Sequence, residues 1–156
     1  MKEEDVKQVH ALLNEHLAKY KVHMTFTADE IHHFLMPREN VMVTYVLEQA
    51  NGDITDMFSF YSLPSSILKH PNYKTLSVAY SYYNVSNTVP LEDLMKDALI
   101  IAKEHGFDVF NALDCNGNQE FLEPLKFSVG DGALHYYLYN WRISTISPND
   151  IGIVLV

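Results

Sequence analysis

An Asn-Gly dipeptide between two β-rich segments commits the middle of this chain to an antiparallel sheet. The segments are Val41–Glu48 and Ile54–Tyr61, and Asn51-Gly52 lies in the turn between them. Asn-Gly is strongly favoured in tight hairpin turns, because both central residues of such turns adopt positive φ. We therefore predict a β-hairpin, to which the other elements must add.

Helical periodicity occurs on both sides of this hairpin. Apolar residues at spacings of three and four predict an amphipathic helix over about residues 4–19. A second helix begins at Thr27, which has the capping-box spacing with Glu30. A third begins next to Pro90 and ends before Gly106, a residue suited to the left-handed conformation that follows many helices.

Strands and helices alternate in the second half of the chain. The predicted elements are strands at Leu76–Val85, Phe107–Leu113 and Leu134–Trp141, a short helix at Asn118–Leu125, and a final apolar run at Gly152–Val156. This order predicts an α+β fold in which helices cover a mixed β-sheet. No linker or repeat interrupts it, so we expect a single domain over residues 1–156.

Composition limits the partners and the cellular compartment that we expect for this chain. A formal net charge of −9 argues against nucleic acid, because phosphate binding needs clustered Lys and Arg. No apolar run approaches the roughly 20 residues that span a bilayer, and the first residues lack the apolar core of a signal peptide. The single cysteine, Cys115, fits a reducing compartment. We therefore expect a cytoplasmic protein.

Several stretches resemble known metal-binding, phosphate-binding or catalytic motifs but lack the residues or the spacing that these motifs require. Asp114–Asn118 has the glycine of a calcium loop two positions early and no glutamate at the twelfth position. The glycine-rich stretch 129–133 is followed by no Lys-Ser/Thr, so it is not a phosphate-binding P-loop. No metal site is predicted from the histidines, and Cys115 has no nearby base that would make it a nucleophile.

Two runs of aromatic residues leave two interpretations open. The first contains Tyr80, Tyr82 and Tyr83, and the second runs from Tyr136 to Trp141. Alternate residues of a strand face opposite sides, so one side of each run belongs to the core. The other side would present tyrosine hydroxyls on a concave surface suited to an extended peptide.

Four stretches, taken together, resemble one enzyme family. They are Thr55–Ser65, Ala79–Val85, Gly106–Asp114, and Lys126–Gly132 with Tyr136–Trp141. In this order they are similar to the C-terminal half of eukaryotic protein N-myristoyltransferases (glycylpeptide N-tetradecanoyltransferases), and the resemblance runs from about Glu4 to the last residue. The family signature Lys-Phe-Gly-x-Gly-Asp-Gly is present with Ser128 in place of its first glycine.

The resemblance implies a fold and a division of labour. The family has two N-acetyltransferase-like (GNAT-like) halves, of which the N-terminal half binds the acyl donor myristoyl-CoA and the C-terminal half shapes the peptide groove. Enzymes of this fold that bind acyl-CoA hold its pyrophosphate at a glycine-rich turn before a helix. The corresponding stretch here, Val85–Pro90, has no glycine. We therefore expect this half to bind no cofactor.

The resemblance also implies the site residues. The implied peptide contacts are Ser65, Tyr80, Asn111, Asp131, Gly132 and Leu134. The implied general base is the α-carboxylate of Val156, which would take a proton from the N-terminal glycine ammonium of the substrate. An α-carboxyl group has an ordinary pKa of about 3.3–3.7, and burial would raise it and make a better base.

Our interpretation is an acyltransferase domain that is inactive by itself. It would act with the missing N-terminal domain on peptides or proteins that begin with glycine. The alternatives are a stand-alone binding module for N-terminal glycine peptides and a minimal acetyltransferase with its own acyl-CoA site. We further expect an exposed apolar interface that favours self-association of the isolated chain.

Overall fold

A four-stranded mixed sheet forms the centre of the molecule in the computed structural model, which describes residues 1–155. Its strands, in spatial order, are β2 (Met42–Glu48), β3 (Ile54–Ser62), β6 (Val78–Val85) and β7 (Val109–Asn111). Strand β3 is antiparallel to both of its neighbours, β2 and β6, whereas β7 runs parallel to β6. The predicted mixed sheet is confirmed.

The predicted hairpin joins β2 to β3. Gly52 has φ +87°, a conformation that favours glycine, and its amide donates to the Gln49 carbonyl at 2.9 Å. The Asn51 side-chain oxygen accepts the Asp53 amide at 3.1 Å, which closes the turn locally. The turn residues therefore set the register in which the two strands pair.

Four helices flank the sheet. They are α1 (Val6–Leu17), α2 (Ala28–Leu35), α3 (Leu91–Glu104) and α4 (Gln119–Leu122), with 3₁₀ turns at Glu3–Asp5 and Pro148–Asp150. The capping box predicted for α2 is present, since Thr27 Oγ1 accepts the Glu30 amide and Glu30 accepts the Thr27 amide. Gly106, just past the end of α3, has φ +80° as expected. No helix in the described part of the chain, residues 1–155, combines the length and apolarity needed to cross a bilayer.

The two faces of the sheet bury different apolar clusters. Helices α1 and α2 pack on the first face, and α3 and α4 pack on the second. Met57 belongs to the first cluster and its neighbour Phe58 to the second, because successive residues of a strand point to opposite faces. Most residues of β3 are therefore buried, as expected for a central strand that is covered on both faces.

An irregularity in β6 turns two consecutive tyrosines toward the first cluster. The register shifts between Phe58 and Phe60 of β3, so that Ser59 faces both Tyr82 and Tyr83. The Ser59 hydroxyl donates to the Tyr83 carbonyl at 2.8 Å and accepts the Tyr83 amide at 3.0 Å. The Ser59 hydroxyl thus hydrogen-bonds the backbone of Tyr83 at this bulge. The bulge orients the Tyr83 side chain toward the C-terminal segment.

The strand predicted at Leu134–Trp141 is wrong. Residues 127–147 contain no helix or strand, and three of the aromatic side chains in the predicted strand are largely exposed: Tyr137 (86%), Tyr139 (93%) and Trp141 (73%). The segment is rich in aromatic residues, which favour strands, but a strand also needs a neighbour to exchange backbone hydrogen bonds. No strand within residues 1–155 lies beside this segment.

Two short strand pairings and two strand boundaries differ from the prediction. The C-terminal strand β8 (Ile151–Gly152) pairs in parallel with β1 (Val22–His23), and β4 (Ser65–Ser66) pairs with β5 (Thr75–Leu76). The strand predicted at Phe107–Leu113 is shorter, and the pairing of the apolar C-terminal run ends at Gly152. Two-residue strands carry too little pattern to be recognised from sequence.

Gly152 offers a direct test of how the C-terminal segment is held. A Cβ at this position would lie 2.7 Å from Cδ2 and 2.8 Å from Cγ of Tyr20, so the tyrosine or the C-terminal segment would have to shift to make room for it. We expect Gly152→Ala to lower the free energy of unfolding by about 1–3 kcal/mol, measured by urea denaturation.

Gly130→Ala is the matched control, because a Cβ there meets nothing within 4 Å. Equal unfolding midpoints for the two variants would show that β8 does not pack tightly on Tyr20.

Candidate functional site

Two of the predicted peptide contacts are side by side in the sheet. Tyr80 of β6 is the register partner of Asn111 of β7 on one side and of Tyr61 of β3 on the other. The rings of Tyr61 and Tyr80 stack with centroids 5.5 Å apart. Both Tyr80 and Asn111 are half-buried, so their polar atoms remain accessible. This row of polar tips across three strands can hydrogen-bond to the backbone of an extended chain.

Ser65 lies at the same end of the sheet. Strand β3 ends at Ser62, which pairs with Ala79, the residue before Tyr80. Ser65 follows three positions later in β4, where it is exposed and pairs with Leu76. The fold therefore places Ser65, Tyr80 and Asn111 near the same end of the sheet.

The other three predicted contacts lie in the irregular segment. Asp131, Gly132 and Leu134 are exposed, and no hydrogen bond found within residues 1–155 joins them to Ser65, Tyr80 or Asn111. A Cβ added at Gly132 would meet nothing within 4 Å, and its φ is not positive. Nothing within the described chain therefore requires a glycine there.

The C-terminal segment is held by contacts from four parts of the chain. Its strand β8 pairs with β1, and Lys21 Nζ lies 2.7 Å from Asp150 Oδ2. The Tyr136 hydroxyl donates to the Ile153 carbonyl at 2.8 Å, and the Val154 amide donates to the Tyr83 hydroxyl at 3.2 Å. The Val154 side chain is only 6% exposed and belongs to the first apolar cluster. The segment is thus fixed as far as Val154.

Val156, the predicted base, lies outside the described residues, and its role stays a prediction. Three titratable side chains near Ile153 and Val154, namely Tyr83, Tyr136 and Cys115, are neutral at pH 7. Burial raises the pKa of the Tyr83 phenol to about 12 and that of the Cys115 thiol to about 11, and it also raises the pKa of Tyr136. These three side chains can donate or accept hydrogen bonds, but none of them can act as a base at neutral pH.

Asp56 forms a second polar site, which the sequence did not reveal. Its carboxylate is fully buried (0% exposed) at the start of β3 and accepts hydrogen bonds from the turn between β6 and α3. Oδ1 accepts the amides of Asn87 at 2.7 Å, Thr88 at 2.8 Å and Val89 at 3.3 Å. Oδ2 accepts the hydroxyls of Thr88 and Thr55. One buried carboxylate thus receives five hydrogen bonds.

These hydrogen bonds decide the charge of Asp56. Burial alone would raise its pKa, but the hydrogen bonds from Thr55, Thr88 and Asn87 outweigh burial and hold the pKa below its ordinary value. The carboxylate is therefore ionised at neutral pH. The signal in the sequence was the one charged residue of β3, and neither periodicity nor spacing gives its partners.

The fold defines a structural class. The structure of a Trypanosoma brucei acetyltransferase superimposes with a TM-score of 0.64 at 18% identity and covers 88% of this chain and 96% of that protein. At this level of identity the likeness concerns the fold alone. The molecule has the α+β, GNAT-like fold of acetyltransferases, as predicted.

Comparison with sequences and structures at higher identity is more specific. A sequence model described as "Myristoyl-CoA:protein N-myristoyltransferase, C-terminal domain" matches residues 1–154. Glycylpeptide N-tetradecanoyltransferase 2 of Danio rerio is 51% identical over 155 residues, which are 99% of this chain and 32% of that protein. Glycylpeptide N-tetradecanoyltransferase 1 of Arabidopsis thaliana is 49% identical over 158 residues, which cover 100% of this chain and 36% of that protein.

A solved structure agrees with these matches. Saccharomyces cerevisiae N-myristoyltransferase with bound myristoyl-CoA superimposes with a TM-score of 0.93 at 35% identity, over 100% of this chain and 43% of that one. The chain belongs to the protein N-myristoyltransferase family and corresponds to its C-terminal domain. It spans about a third of the length of the curated relatives that it matches.

The charge on Asp56 can be tested by pH. We expect Asp56→Asn to lower the free energy of unfolding at pH 7 by about 2 kcal/mol, because a neutral amide accepts fewer and weaker hydrogen bonds than a carboxylate. A depressed folded-state pKa adds stability above the unfolded value of about 3.9, and this is lost as pH falls through the folded pKa. The difference between variant and wild type should therefore shrink below about pH 3.9.

Asp97→Asn is the control, since Asp97 is exposed on α3 and makes no hydrogen bond within the described chain. Urea denaturation at several pH values gives both differences. A loss of stability in Asp56→Asn that stays constant through the acid range would contradict an ionised Asp56.

Proposed function

We propose that this chain is the peptide-binding C-terminal part of a protein N-myristoyltransferase. The whole enzyme would transfer myristate from myristoyl-CoA to the N-terminal glycine of proteins in the cytoplasm. The observation that carries the proposal is 51% identity across 99% of the chain to an enzyme named for this reaction. A buried free thiol at Cys115 suits the reducing conditions of that compartment. We propose that residues 1–156 act as one domain within this enzyme.

The peptide would lie across the end of the sheet that carries Ser65, Tyr80 and Asn111. The register pairing of Tyr80 with Asn111 supports this, because it sets two half-buried polar groups beside each other on adjacent strands. Asp131, Gly132 and Leu134 would close over the peptide from the irregular segment. The exposure of all three residues is consistent with an occupant that this chain does not contain.

The general base would be the α-carboxylate of Val156. Tyr136 and Tyr83 hold the backbone of Ile153 and Val154 by hydrogen bonds. The backbone is therefore fixed two residues before Val156. Neutral phenols and a neutral thiol nearby leave the proton-accepting role open for a carboxylate. A base held in place can meet the ammonium of an incoming peptide at a reproducible distance.

The reaction then consists of one proton transfer and one acyl transfer. The carboxylate of Val156 takes a proton from the glycine ammonium, which leaves a neutral amine with a free electron pair. The amine attacks the thioester carbonyl of myristoyl-CoA, the new carbon–nitrogen bond forms, and the carbon–sulfur bond breaks. The CoA thiolate leaves, one of the two protons on the nitrogen is transferred to give the CoA thiol, and the other stays as the N–H of the new amide.

The rest of the enzyme would supply the acyl donor site and the groups that stabilise the oxyanion. This N-terminal part is also the partner expected to cover Tyr137, Tyr139 and Trp141, whose exposure is unusual for side chains of this size. In the isolated chain the same aromatic side chains favour self-association. In this proposal the C-terminal part binds no acyl-CoA of its own.

A chimera tests the proposed function. The segment of the Danio rerio enzyme that aligns with this chain is replaced by residues 1–156, and myristoyl transfer to a glycine-initiated peptide is measured. We expect the chimera to acylate the peptide and the isolated chain to give no turnover, because the acyl donor site lies outside residues 1–156.

A peptide that begins with alanine serves as the substrate control, and myristoyl-CoA binding verifies that the N-terminal part of the chimera is folded. Turnover by the isolated chain would contradict the proposal. A chimera that binds both substrates but leaves the peptide unmodified would favour a stand-alone binding module for N-terminal glycine peptides.

The base can be displaced without changing any side chain. One glycine added after Val156 in the same chimera moves the terminal carboxylate by up to about 3.6 Å. We expect kcat to fall by about 10²-fold or more, which is the usual contribution of a general base. Peptide affinity and the melting temperature should change little, since Leu155 is already 60% exposed. An unchanged kcat at saturating peptide would exclude the terminal carboxylate as the base.

A further inference from the structure

We propose that Asp56 is an internal anion that fills the phosphate-binding turn of this fold and thereby keeps acyl-CoA out of the C-terminal domain. The functional consequence rests on the proposed function, in which the acyl donor belongs to the other part of the enzyme. The occupation of the turn itself rests only on contacts within this chain. Asp56 would then be a residue that determines where the donor binds.

The turn between β6 and α3 has the geometry of an anion site. The amides of Asn87, Thr88 and Val89 are consecutive, and all three donate to Oδ1 of Asp56. Consecutive amides that converge on one point before a helix form the concave arrangement that binds phosphate in many proteins. Here the oxygen at that point belongs to a side chain from β3, 31 residues earlier than Asn87.

The carboxylate is held from its other side as well. Oδ2 of Asp56 accepts the hydroxyls of Thr55 and Thr88. Gln49 Nε2 donates to Thr55 Oγ1 at 2.9 Å and to Thr88 Oγ1 at 3.3 Å, which orients both hydroxyls. The side chain of Asp56 is completely buried, so a phosphate could reach the amides only by displacing a fully hydrogen-bonded group.

The surrounding charge also disfavours a phosphate. No Lys or Arg occurs in residues 85–95, and the first turn of α3 carries Glu92 and Asp93. None of the ion pairs found within residues 1–155 involves Asp56. A polyphosphate at this turn would therefore meet the carboxylate of Asp56 beside an acidic first helical turn, and residues 85–95 offer it no Lys or Arg. The backbone geometry of an anion site is kept, but its affinity for an external anion is removed.

The test uses the wild-type chain and two variants of Asp56. Asp56→Ala removes the carboxylate and leaves space beside the amides, whereas Asp56→Asn removes the charge and keeps the volume. Melting temperatures are measured against sodium formate and inorganic phosphate, with sodium chloride at equal ionic strength as the control for screening. Titration of the wild-type chain with CoA is followed through the amide NMR signals of Asn87, Thr88 and Val89.

We expect formate and phosphate to raise the melting temperature of Asp56→Ala by about 5 °C in a saturable manner, because either anion can accept the released amides. Wild type and Asp56→Asn should respond no more to formate than to chloride. The three amide signals of the wild type should not move with CoA at millimolar concentration.

Either of two results overturns the proposal. One is an Asp56→Ala variant whose stability responds equally to formate, phosphate and chloride. The other is a saturable shift of the three wild-type amides with CoA, which decides the matter even if Asp56→Ala does not fold. Neither readout involves myristoyl transfer, so failure here is separate from failure of the chimera, which tests the proposed function.

Discussion

The pairing of β3 with β6 in the middle of the sheet is the contact on which both helix layers and both polar sites depend. Strand β3 sends apolar side chains into the cluster under α1 and α2 and into the cluster under α3 and α4. The same pairing brings Asp56 to the turn before α3, and it brings Ser59 to the bulge that orients Tyr83. Packing and site geometry therefore cannot be changed independently along this strand.

Local signals in the sequence were sufficient to predict turns and helix ends whose contacts lie within a few residues. The Asn51-Gly52 hairpin, the capping box of Thr27 and the glycine at position 106 all depend on residues within a few positions, and all three are confirmed. The strand at Leu134–Trp141 was wrong because a strand pattern specifies a surface and not the neighbour that must pair with it. The part of the chain described here does not supply that neighbour.

The candidate site could be predicted only in part, for the same reason. Tyr80 and Asn111 were identified by resemblance, and the register of β6 and β7 brings them together. Asp56 escaped prediction because four of its five hydrogen bonds come from residues 31 to 33 positions away, and three of those four come from backbone amides, which have no sequence signature. The anchors Tyr83 and Tyr136 were visible as aromatic residues, but their hydrogen bonds to the C-terminal segment depend on the bulge and on the path of an irregular segment.

A turn of converging amides imposes a requirement on any chain that keeps it. Buried backbone N–H groups need acceptors, and in a protein that binds phosphate the ligand or water provides them. A domain that does not bind the ligand must either rebuild the turn or supply an acceptor from its own sequence. Asp56 does the second: desolvation of its charge is offset by five hydrogen bonds, and the β6–α3 connection keeps its shape without a ligand. One buried side chain is thus sufficient to satisfy the converging amides of this turn from within the chain.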